Sequence, residues 1–244
     1  MSPRAVAIIQ ARTGSTRLPR KVFEDLCGEP MLARVVARVS AAERIDAVVV
    51  ATTTAPGDDA IASMANARGW LLTRGSEDDV LDRYRQAAQE HDAEVILRVC
   101  SDCPMTAPDV IDRVVAAVAD DAQCDYAANN FEPATYPKGL DVEAFTRAAL
   151  EDASRSDDRP DWREHVTPYI RRHPERFKHT VIRDTEDHSD LRWTVDTPAD
   201  LALMRRLITA APADAHWRAF VAVQRAHPEW AEMNQHIEQR RVPS

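Results

Sequence analysis

The sequence predicts an α/β fold with three layers (α/β/α), in which helices cover both faces of a mostly parallel sheet. The first observation is that short, uninterrupted apolar segments alternate with amphipathic segments along the first half of the chain. Uninterrupted apolar segments are typical of strands that are buried on both faces. The second observation is that the intervening segments are long enough for the helical crossovers that parallel strands require.

The first half of the chain contains five predicted strands and four predicted helices. The apolar segments predict strands at Ala5–Gln10, Ala47–Thr52, Trp70–Thr73, Glu94–Val99 and Cys124–Ala128. Helical periodicity predicts helices at Met31–Ala42, Asp58–Ala67, Asp79–His91 and Pro108–Ala119. Proline is favoured at the first position of a helix, and Pro30 and Pro108 mark two of these starts. Gly69 ends the second helix.

The alternation is less regular after about residue 130, where a loop is predicted over Phe131–Asp141. Further helices are predicted at Phe145–Ala153, Trp162–Arg172 and Pro198–Ala210, and further strands at Lys178–Arg183 and Leu191–Val195. The tail, Ala213–Gln239, predicts two more helices with a break near Pro228. The sequence contains no repeat and no low-complexity linker, so we expect a single domain over residues 1–244.

Composition excludes several classes of protein. The net charge of −9 argues against a general nucleic-acid-binding protein. The apolar segments are too short to span a bilayer, and the N-terminus does not resemble a signal peptide, so we expect a cytoplasmic protein without a membrane partner. Cys100 and Cys103 form a CxxC pair, but two further zinc ligands at suitable spacing are missing and Pro104 follows directly. We therefore expect reduced cysteines without a metal or redox function.

The positive charge is concentrated at the N-terminus. The first 23 residues contain five basic residues and no acid, so the remainder of the chain carries −14. Gly14 and Ser15 follow the first predicted strand, where α/β sheets bind ligands and where backbone amides can form an anion-binding nest. Arg12 can bind a phosphate with two hydrogen bonds, and Lys21, one of only three lysines, adds a mobile charge. The segment is neither a Walker A loop nor a dinucleotide fingerprint. A solvated basic loop is the alternative interpretation.

Four segments carry a resemblance to a known family. Residues Ile8–Lys21 (IIQARTGSTRLPRK) resemble the signature of the cytidylyltransferases that make CMP-activated sugars, which include the acylneuraminate and KDO cytidylyltransferases. Thr73–Tyr84 (TRGSEDDVLDRY), Arg98–Pro104 (RVCSDCP) and Trp193–Leu201 (WTVDTPADL) follow in the order typical of the spore-coat-polysaccharide-biosynthesis-protein-F-like branch. The resemblance covers roughly residues 5–208, and it implies a Rossmann-like nucleotidyltransferase (GT-A-like) sheet. Residues 210–244 then form a helical C-terminal tail.

The resemblance implies a nucleotide site and a metal site. It implies that CTP binds through Ala11, Arg12, Thr13, Gly14, Ser15, Lys21, Thr52, Arg74 and Ser101. Asp102 and Asp196 each follow a predicted strand, and the resemblance implies that they hold Mg²⁺. It thus implies a catalytic set of Arg12, Lys21, Asp102 and Asp196. A salt bridge from Arg74 to Asp78 or Asp79 is the alternative to contact with the base or ribose. Ser101 stands where the family commonly has glycine, which is expected to narrow the pocket.

Two further segments resemble the acceptor side of the family. In Tyr136–Glu143, Gly139 permits unusual backbone angles or a close approach, and the alternation of Asp141 and Glu143 places both on one side of a strand. In Arg163–Tyr169, His165 is a candidate for binding a carboxylate or hydroxyl or for acting as a base, and a structural histidine is the alternative.

The expected function is transfer of CMP from CTP to an acidic sugar or a related small acceptor, with Mg²⁺ and with release of pyrophosphate. The alternatives among enzymes are a nucleotidyltransferase that uses another NTP or a phosphorylated or phosphonate acceptor, and a sugar-nucleotide-dependent glycosyltransferase. The alternative outside enzymes is a nucleotide-binding regulator. Relatives are often dimers, so we expect a homodimer formed through the C-terminal half, which sedimentation tests.

Overall fold

The computed structural model describes residues 3–212 and 214–238. Its centre is a seven-stranded sheet in the order β3-β2-β1-β4-β6-β5-β7. The strands are β1 (Ala5–Gln10), β2 (Ala47–Thr53), β3 (Leu71–Gly75), β4 (Val95–Cys100), β5 (Tyr126–Ala128), β6 (Glu143–Thr146) and β7 (His179–Val181). β6 is antiparallel to β4 and β5, and the other pairs are parallel. The predicted mostly parallel α/β sheet is confirmed.

Nine α-helices are present in the described residues. They are α1 (Met31–Ser40), α2 (Asp59–Ala67), α3 (Val80–Glu90), α4 (Pro108–Ala119), α5 (Arg147–Ser156), α6 (Pro160–His165), α7 (Pro168–Arg172), α8 (Pro198–Ala210) and α9 (Trp217–Ala226). One hydrophobic core holds apolar residues of α1, α4, α8 and α9, and the other holds residues of α3, α5 and α7. Within the described ranges, no helix combines the length and apolar character needed to cross a membrane.

The central strand β1 shows why its sequence is continuously apolar. Ala7 and Ile9 face the first core, whereas Val6 and Ile8 face the second. All four side chains are fully buried, because strand side chains alternate between faces and both faces are covered. Burying a valine or isoleucine stabilises the fold by about 1.5–3 kcal/mol. A polar residue at any of these positions would disrupt one of the two cores.

Two predicted helices in the second half differ from the structure. The predicted helix Phe145–Ala153 begins later, because Phe145 pairs with Tyr126 of β5 and Ile96 of β4 inside the sheet. Thr146 then caps α5 by accepting a hydrogen bond from the backbone N of Ala149 at 3.1 Å. The predicted helix Trp162–Arg172 is divided into α6 and α7, since Pro168 starts a new helix.

Two other predictions were wrong in part. Leu191–Val195 is an irregular segment rather than a strand, with one isolated bridge between Lys138 and Arg192. The break near Pro228 is confirmed, but a short 3₁₀ helix, Pro228–Met233, follows it in place of a second α-helix. The ends of the predicted tail, Ala213 and Gln239, lie outside the described residues.

Candidate functional site

The candidate site lies where β1 and β4, neighbours in the sheet, both end. Residues after β1 turn into the loop 11–20, and residues after β4 form the segment that contains Asp102. β2 and β3 extend the sheet on one side of β1, and β4 and β6 extend it on the other. The strand order therefore reverses direction between β1 and β4, and ligands of open α/β sheets bind at such a switch point.

The loop after β1 is held in place by its own backbone and by one buried carboxylate. The backbone N and Oγ1 of Thr13 both donate to Oδ1 of Asp58 at 2.7 Å. The carbonyl oxygen of Thr13 accepts from the backbone N of Ser15 at 2.9 Å and of Arg20 at 3.1 Å. The backbone N of Ala11 donates to the carbonyl oxygen of Ala51 at 3.0 Å, which attaches the start of the loop to β2. The loop is thus ordered before any ligand binds.

Asp58 is ionised in this arrangement. Burial alone would raise its pKa, but hydrogen bonds from Thr53 and Thr13 lower it below the ordinary value. The Oγ1 of Thr53 donates to Oδ2 of Asp58 at 2.6 Å. No sequence motif marks Asp58, because its role depends on Thr13, a partner 45 residues away.

Lys21 brings the predicted metal ligands together. Its Nζ donates to Oδ2 of Asp102 at 2.8 Å, to Oδ1 of Asp196 at 2.8 Å and to the carbonyl oxygen of Val195 at 3.1 Å. Oδ2 of Asp102 and Oδ1 of Asp196 each lie 2.8 Å from Nζ of Lys21, so these two carboxylate oxygens are at most twice that distance apart. Three members of the predicted catalytic set therefore meet at one point.

The charges at this point stabilise one another. Burial lowers the pKa of Lys21, but the charges and hydrogen bonds of Asp102 and Asp196 outweigh burial and raise it above the ordinary value. Burial alone would raise the pKa of Asp196. The charge and hydrogen bond of Lys21, together with Arg17 and Arg192, outweigh burial and lower this pKa. Lys21 is therefore a permanent cation and Asp196 a permanent anion near neutral pH.

Two arginines that sequence reasoning did not assign hold Asp196. Nη2 of Arg17 lies 3.0 Å from its Oδ2, and Nη2 of Arg192 donates to the same oxygen at 2.9 Å. Arg192 also binds Asp200 through Nε at 3.0 Å, and Asp200 forms a capping box with Thr197 at the start of α8. Arg17 lies in the acid-free N-terminal segment, and its position there is the sequence signal that could have identified it.

The paired carboxylates are chemically suited to a magnesium ion. Mg²⁺ is commonly held by one or two carboxylates together with phosphate oxygens and water. Asp102 and Asp196 present oxygens close enough to share one cation, as they share the Lys21 ammonium. In the part of the chain that the structure describes, no cluster of three or more His, Cys, Asp or Glu side chains forms a larger metal-ligand group. The donor set thus fits a metal that keeps several ligands from substrate and solvent.

Arg12 lies apart from this cluster. Its Nη2 donates to Oε1 of Glu164 in α6 at 2.9 Å, and both side chains are almost half exposed, at 43% and 47%. Exposed ion pairs contribute roughly 0–1 kcal/mol, so this pair restrains Arg12 only weakly. Arg12 is therefore available to rearrange toward a ligand of the β1 loop.

Among the other predicted nucleotide residues, Arg74, Thr52 and Ser101 are more enclosed than Arg12, whereas Gly14 is exposed. Arg74 donates to the carbonyl oxygen of Thr53 at 2.9 Å and to Oδ1 of Asp59 at 2.7 Å, so the alternative salt bridge to Asp78 or Asp79 was wrong. Thr52 is fully buried, and its Oγ1 has no hydrogen-bond partner. The backbone N of Ser101 donates to the carbonyl oxygen of Gln10 at 3.2 Å. Gly14 has room for a side chain, and an added Cβ would lie 3.9 Å from Oε1 of Glu77.

The acidic segment after β3 connects α3 to α6. Asp79 caps α3 by accepting from the backbone N of Asp82 at 2.9 Å. Its other oxygen accepts from Nε and Nη2 of Arg163 at 3.0 and 2.7 Å. This part of the Thr73–Tyr84 motif therefore positions α6, which contains Glu164 and His165.

Gly139 is required by the backbone. Its φ is +102°, and an added Cβ would lie 2.7 Å from the backbone N of Thr194. The prediction of unusual angles or a close approach is confirmed on both counts. The neighbouring Lys138 exchanges backbone hydrogen bonds with Leu191 and Trp193 at 2.9 and 2.6 Å. These bonds attach the segment to the residues that lead into Asp196.

The structure contradicts the prediction that Asp141 and Glu143 share one face of a strand. β6 begins at Glu143, and Asp141 precedes it. Oδ2 of Asp141 accepts from the backbone N of Gly139 at 2.9 Å, and burial raises the pKa of this carboxyl group. Asp141 is therefore bound to its own loop.

Glu143 is enclosed and paired with protein donors, and its role in acceptor binding stays a prediction. Its side chain is 2% exposed, and Oε2 accepts from Nη1 of Arg98 at 2.5 Å. Oε1 accepts from Tyr126, from Oγ1 of Thr167 at 2.9 Å and from Nη1 of Arg171 at 3.5 Å. Burial would raise the pKa of Glu143, but the two arginines outweigh burial and lower it. Its oxygens are thus occupied by four protein donors.

His165 ends α6 beside this network. Burial lowers its pKa, and the charge of Arg98 lowers it further. The next residue, Val166, has φ +70° and ψ −56°, and the backbone N of Thr167 donates to the carbonyl oxygen of His165 at 2.8 Å. This is a γ-turn of the strained type. The imidazole is therefore neutral near pH 7 and lies on a sharply constrained backbone.

Burial makes the thiols of the CxxC pair unreactive. None of the four cysteines forms a disulfide. Burial raises the pKa of Cys100 to about 11 and also raises that of Cys103. Because the thiolate is the reactive form, neither side chain is an activated nucleophile.

Comparison with known proteins gives a consistent set of matches. Residues 6–227 match the family described as Cytidylyltransferase. The spore coat polysaccharide biosynthesis protein SpsF of Bacillus subtilis is 33% identical over 215 residues, covering 84% of this chain and 86% of that protein. A 3-deoxy-manno-octulosonate cytidylyltransferase of Geobacter sulfurreducens is 37% identical over 116 residues, covering 47% of this chain and 45% of that protein.

A solved structure extends this similarity to nearly the whole chain. The cytidylyltransferase from Leptospira borgpetersenii serovar Hardjo-bovis superimposes with a TM-score of 0.90 at 29% sequence identity. The match covers 97% of this chain and 100% of that chain.

Proposed function

The chain belongs to the cytidylyltransferase family, and from this premise we propose that it transfers CMP from CTP to an acidic sugar or a related small acceptor and releases pyrophosphate. The family resemblance of the four sequence motifs is confirmed, as is the nucleotidyltransferase fold, and the protein is a nucleotidyltransferase enzyme. The observation that carries the proposal is the convergence of Lys21, Asp102 and Asp196 at the ends of β1 and β4.

In the proposed reaction, an oxygen of the acceptor attacks the α-phosphorus of CTP. The new bond joins that oxygen to phosphorus, the proton of the acceptor hydroxyl passes to solvent water, and pyrophosphate leaves with the electrons of the broken phosphorus–oxygen bond. Lys21 and Arg12 bind phosphate oxygens and stabilise the charge that develops there. Asp102 and Asp196 are the residues that would hold Mg²⁺, which when bound neutralises phosphate charge. Arg17 and Arg192 keep Asp196 ionised and oriented.

The charges on the α6–α7 side support an acidic acceptor. Arg98 and Arg171 both bind Glu143, so this group of three carries one excess positive charge. His165 lies beside them and is neutral, because burial and Arg98 lower its pKa. An excess positive charge next to a neutral donor suits a carboxylate with neighbouring hydroxyl groups. The names of the two relatives, which refer to a coat polysaccharide and to a sugar acid, agree with this class of acceptor.

The test is a pyrophosphate-release assay with CTP, UTP, GTP or ATP, each with Mg²⁺ and a panel of acidic sugars, phosphorylated sugars and phosphonates. The proposal expects release with CTP and an acidic sugar. Release with another nucleotide or only with a phosphorylated acceptor would replace the assigned substrates. Sugar transfer without pyrophosphate would indicate a glycosyltransferase, and CTP binding without turnover across the panel would indicate a regulator.

The metal-binding residues are tested by substitution. Asp102→Asn and Asp196→Asn remove one charge each and should reduce turnover about 100-fold or more. Asp196→Asn also removes a partner of Lys21, Arg17 and Arg192, so thermal melting checks that each variant is folded before turnover is compared. Asp120→Asn is the matched control, because Asp120 pairs with Arg44 at an exposed position after α4. Near-normal activity of either variant with Mg²⁺ would refute the assignment.

A further inference from the structure

Asn234 is a buried amide in the C-terminal tail, beyond the last of the four sequence motifs. It directly follows the 3₁₀ helix Pro228–Met233 and is 2% exposed. Its Nδ2 donates to Oδ1 of Asp200 at 2.9 Å and to the carbonyl oxygen of Arg192 at 3.0 Å. Both partners are acceptors, so only the amide nitrogen can face them. The tail therefore supplies two hydrogen bonds to the residues that surround Asp196.

Asp200 holds the backbone on which Asp196 lies. Its side chain is fully buried, and a buried carboxylate depends on hydrogen-bond donors because it has lost its water. Oδ2 accepts from the backbone N of Asp196 at 3.1 Å and from the backbone N of Thr197 at 3.0 Å. Oδ1 accepts from Nε of Arg192 at 3.0 Å and from Asn234. Asn234 thus donates to one oxygen of a carboxylate whose other oxygen fixes Asp196.

Arg192 is shared between two carboxylates. Its Nη2 lies 2.9 Å from Oδ2 of Asp196 and 3.4 Å from Oδ2 of Asp200. A small rotation of the guanidinium would therefore transfer this nitrogen from one carboxylate to the other. Asn234 opposes the rotation at two points, because it holds the backbone carbonyl of Arg192 and gives Asp200 a donor other than the guanidinium. The contact between Arg192 and Asp196 thus depends on a residue of the tail.

The tail makes a second buried contact with the same segment, but this contact does not reach Asp196. Nε1 of Trp193 donates to Oε1 of Gln224 in α9 at 2.6 Å, and Gln224 is 3% exposed. Within the described residues, the side chain of Gln224 forms no hydrogen bond with Arg192 or Asp200. The two buried amides of the tail therefore differ in their partners, since Gln224 binds an indole whereas Asn234 binds the group that holds Asp196.

We propose that Asn234 is a positioning residue that orients Asp196 for binding a divalent cation. It acts through Asp200 and Arg192, and the inference rests on the metal-binding role of Asp196 in the proposed function. Residues that directly orient a metal ligand are commonly worth about 10- to 100-fold in metal affinity. Asn234 acts one contact farther away, so its loss should cost less, about 3- to 10-fold. The C-terminal tail is then a part of the site and does more than cover the core.

The experiment measures how much Mn²⁺ adds to the binding of CTP. Titration calorimetry gives the Kd of CTP with Mn²⁺ and with EDTA, and the ratio of the two values is the metal contribution. Asn234→Ala should lower this contribution about 3- to 10-fold and leave the Kd in EDTA unchanged. Asn234→Ser keeps one hydroxyl donor, so it should lose less and can replace the alanine variant if that variant does not fold. Thermal melting checks that each variant is folded at the temperature of the titration.

Gln224→Leu is the matched control. It removes the other buried amide of the tail and leaves the indole N–H of Trp193 without its acceptor, so it should lower the melting temperature. It should nevertheless leave the metal contribution unchanged. An unchanged contribution in both Asn234 variants, or an equal fall in Gln224→Leu, would overturn this inference alone. A wild type that binds no CTP, or whose affinity for CTP does not rise with Mn²⁺, would overturn the proposed function and this inference with it.

Discussion

Replacing Glu143 by glutamine should destabilise the protein strongly. Glutamine keeps one oxygen for Tyr126 and Thr167, but its NH₂ group would face Nη1 of Arg98, donor against donor. Arg98 has 14% side-chain exposure, so it would be left as a buried cation. Removing one partner of a buried ion pair costs about 3–5 kcal/mol. Arg171 adds less, because its Nη1 lies 3.5 Å from the carboxylate and the side chain is 29% exposed.

Urea denaturation at pH 7, followed by circular dichroism, measures this loss. A glutamate whose folded pKa is lowered contributes stability above its unfolded pKa of roughly 4.3 and loses it as the pH falls through the folded value. The difference between wild type and Glu143→Gln should therefore decrease below about pH 4. Arg98→Met should cost less in the Glu143→Gln background than in wild type, because the cation no longer has its partner. A loss below about 1 kcal/mol, the level of an exposed pair, would refute the buried ion pair and reopen an acceptor role for Glu143.

Three further predictions follow from local geometry. Gly139→Ala should destabilise the protein by about 1–3 kcal/mol and lower its activity, because the added Cβ would collide with the backbone of Thr194. Urea titration measures the stability and the pyrophosphate assay measures the activity. An unchanged midpoint of urea unfolding would contradict the strain. Iodoacetamide at pH 8 should modify exposed Cys27 in the native protein but buried Cys103 only after unfolding, as mass spectrometry of peptides can show. Equal modification rates of the two cysteines in the native protein would argue against burial of Cys103. Glu164→Gln should lower the KM for CTP by less than about fivefold and leave kcat unchanged, because Glu164 no longer competes with CTP for Arg12, the arginine proposed to bind phosphate. A raised KM would show that the Arg12–Glu164 pair supports binding.

The parallel half of the sheet could be predicted from the sequence because its strands consist mainly of apolar residues. Ala5–Gln10 forms a strand with the predicted bounds. The second half was less predictable, since its elements depend on partners distant in the sequence. Phe145 has no local signal that distinguishes a strand from a helix, and its pairing with Tyr126 decides the matter. Leu191–Val195 is apolar enough for a strand but makes only one bridge.

The candidate site was predictable to the level of residue type and order along the chain. The basic segment after the first strand and the two aspartates were recognised from motifs, and the structure brings Lys21, Asp102 and Asp196 together. The pairing of Glu143 inside the protein could not be predicted from the sequence, for a physical reason. Alternation in a strand indicates which face a carboxylate occupies, but not whether arginines of other elements already occupy that face.

The sequence by itself determined the α/β class, the basic loop after the first strand and the family, because these depend on local periodicity and short motifs. Tertiary structure alone decided which charges are paired and which are not. Lys21 reaches partners 81 and 175 residues away, whereas the buried Arg83 donates to the carbonyl oxygen of Ser76 but its Nε has no acceptor among the described residues. The physical reason is that the energy of a charge depends on its burial and on the groups within a few ångströms, and folding sets both by joining distant parts of the chain.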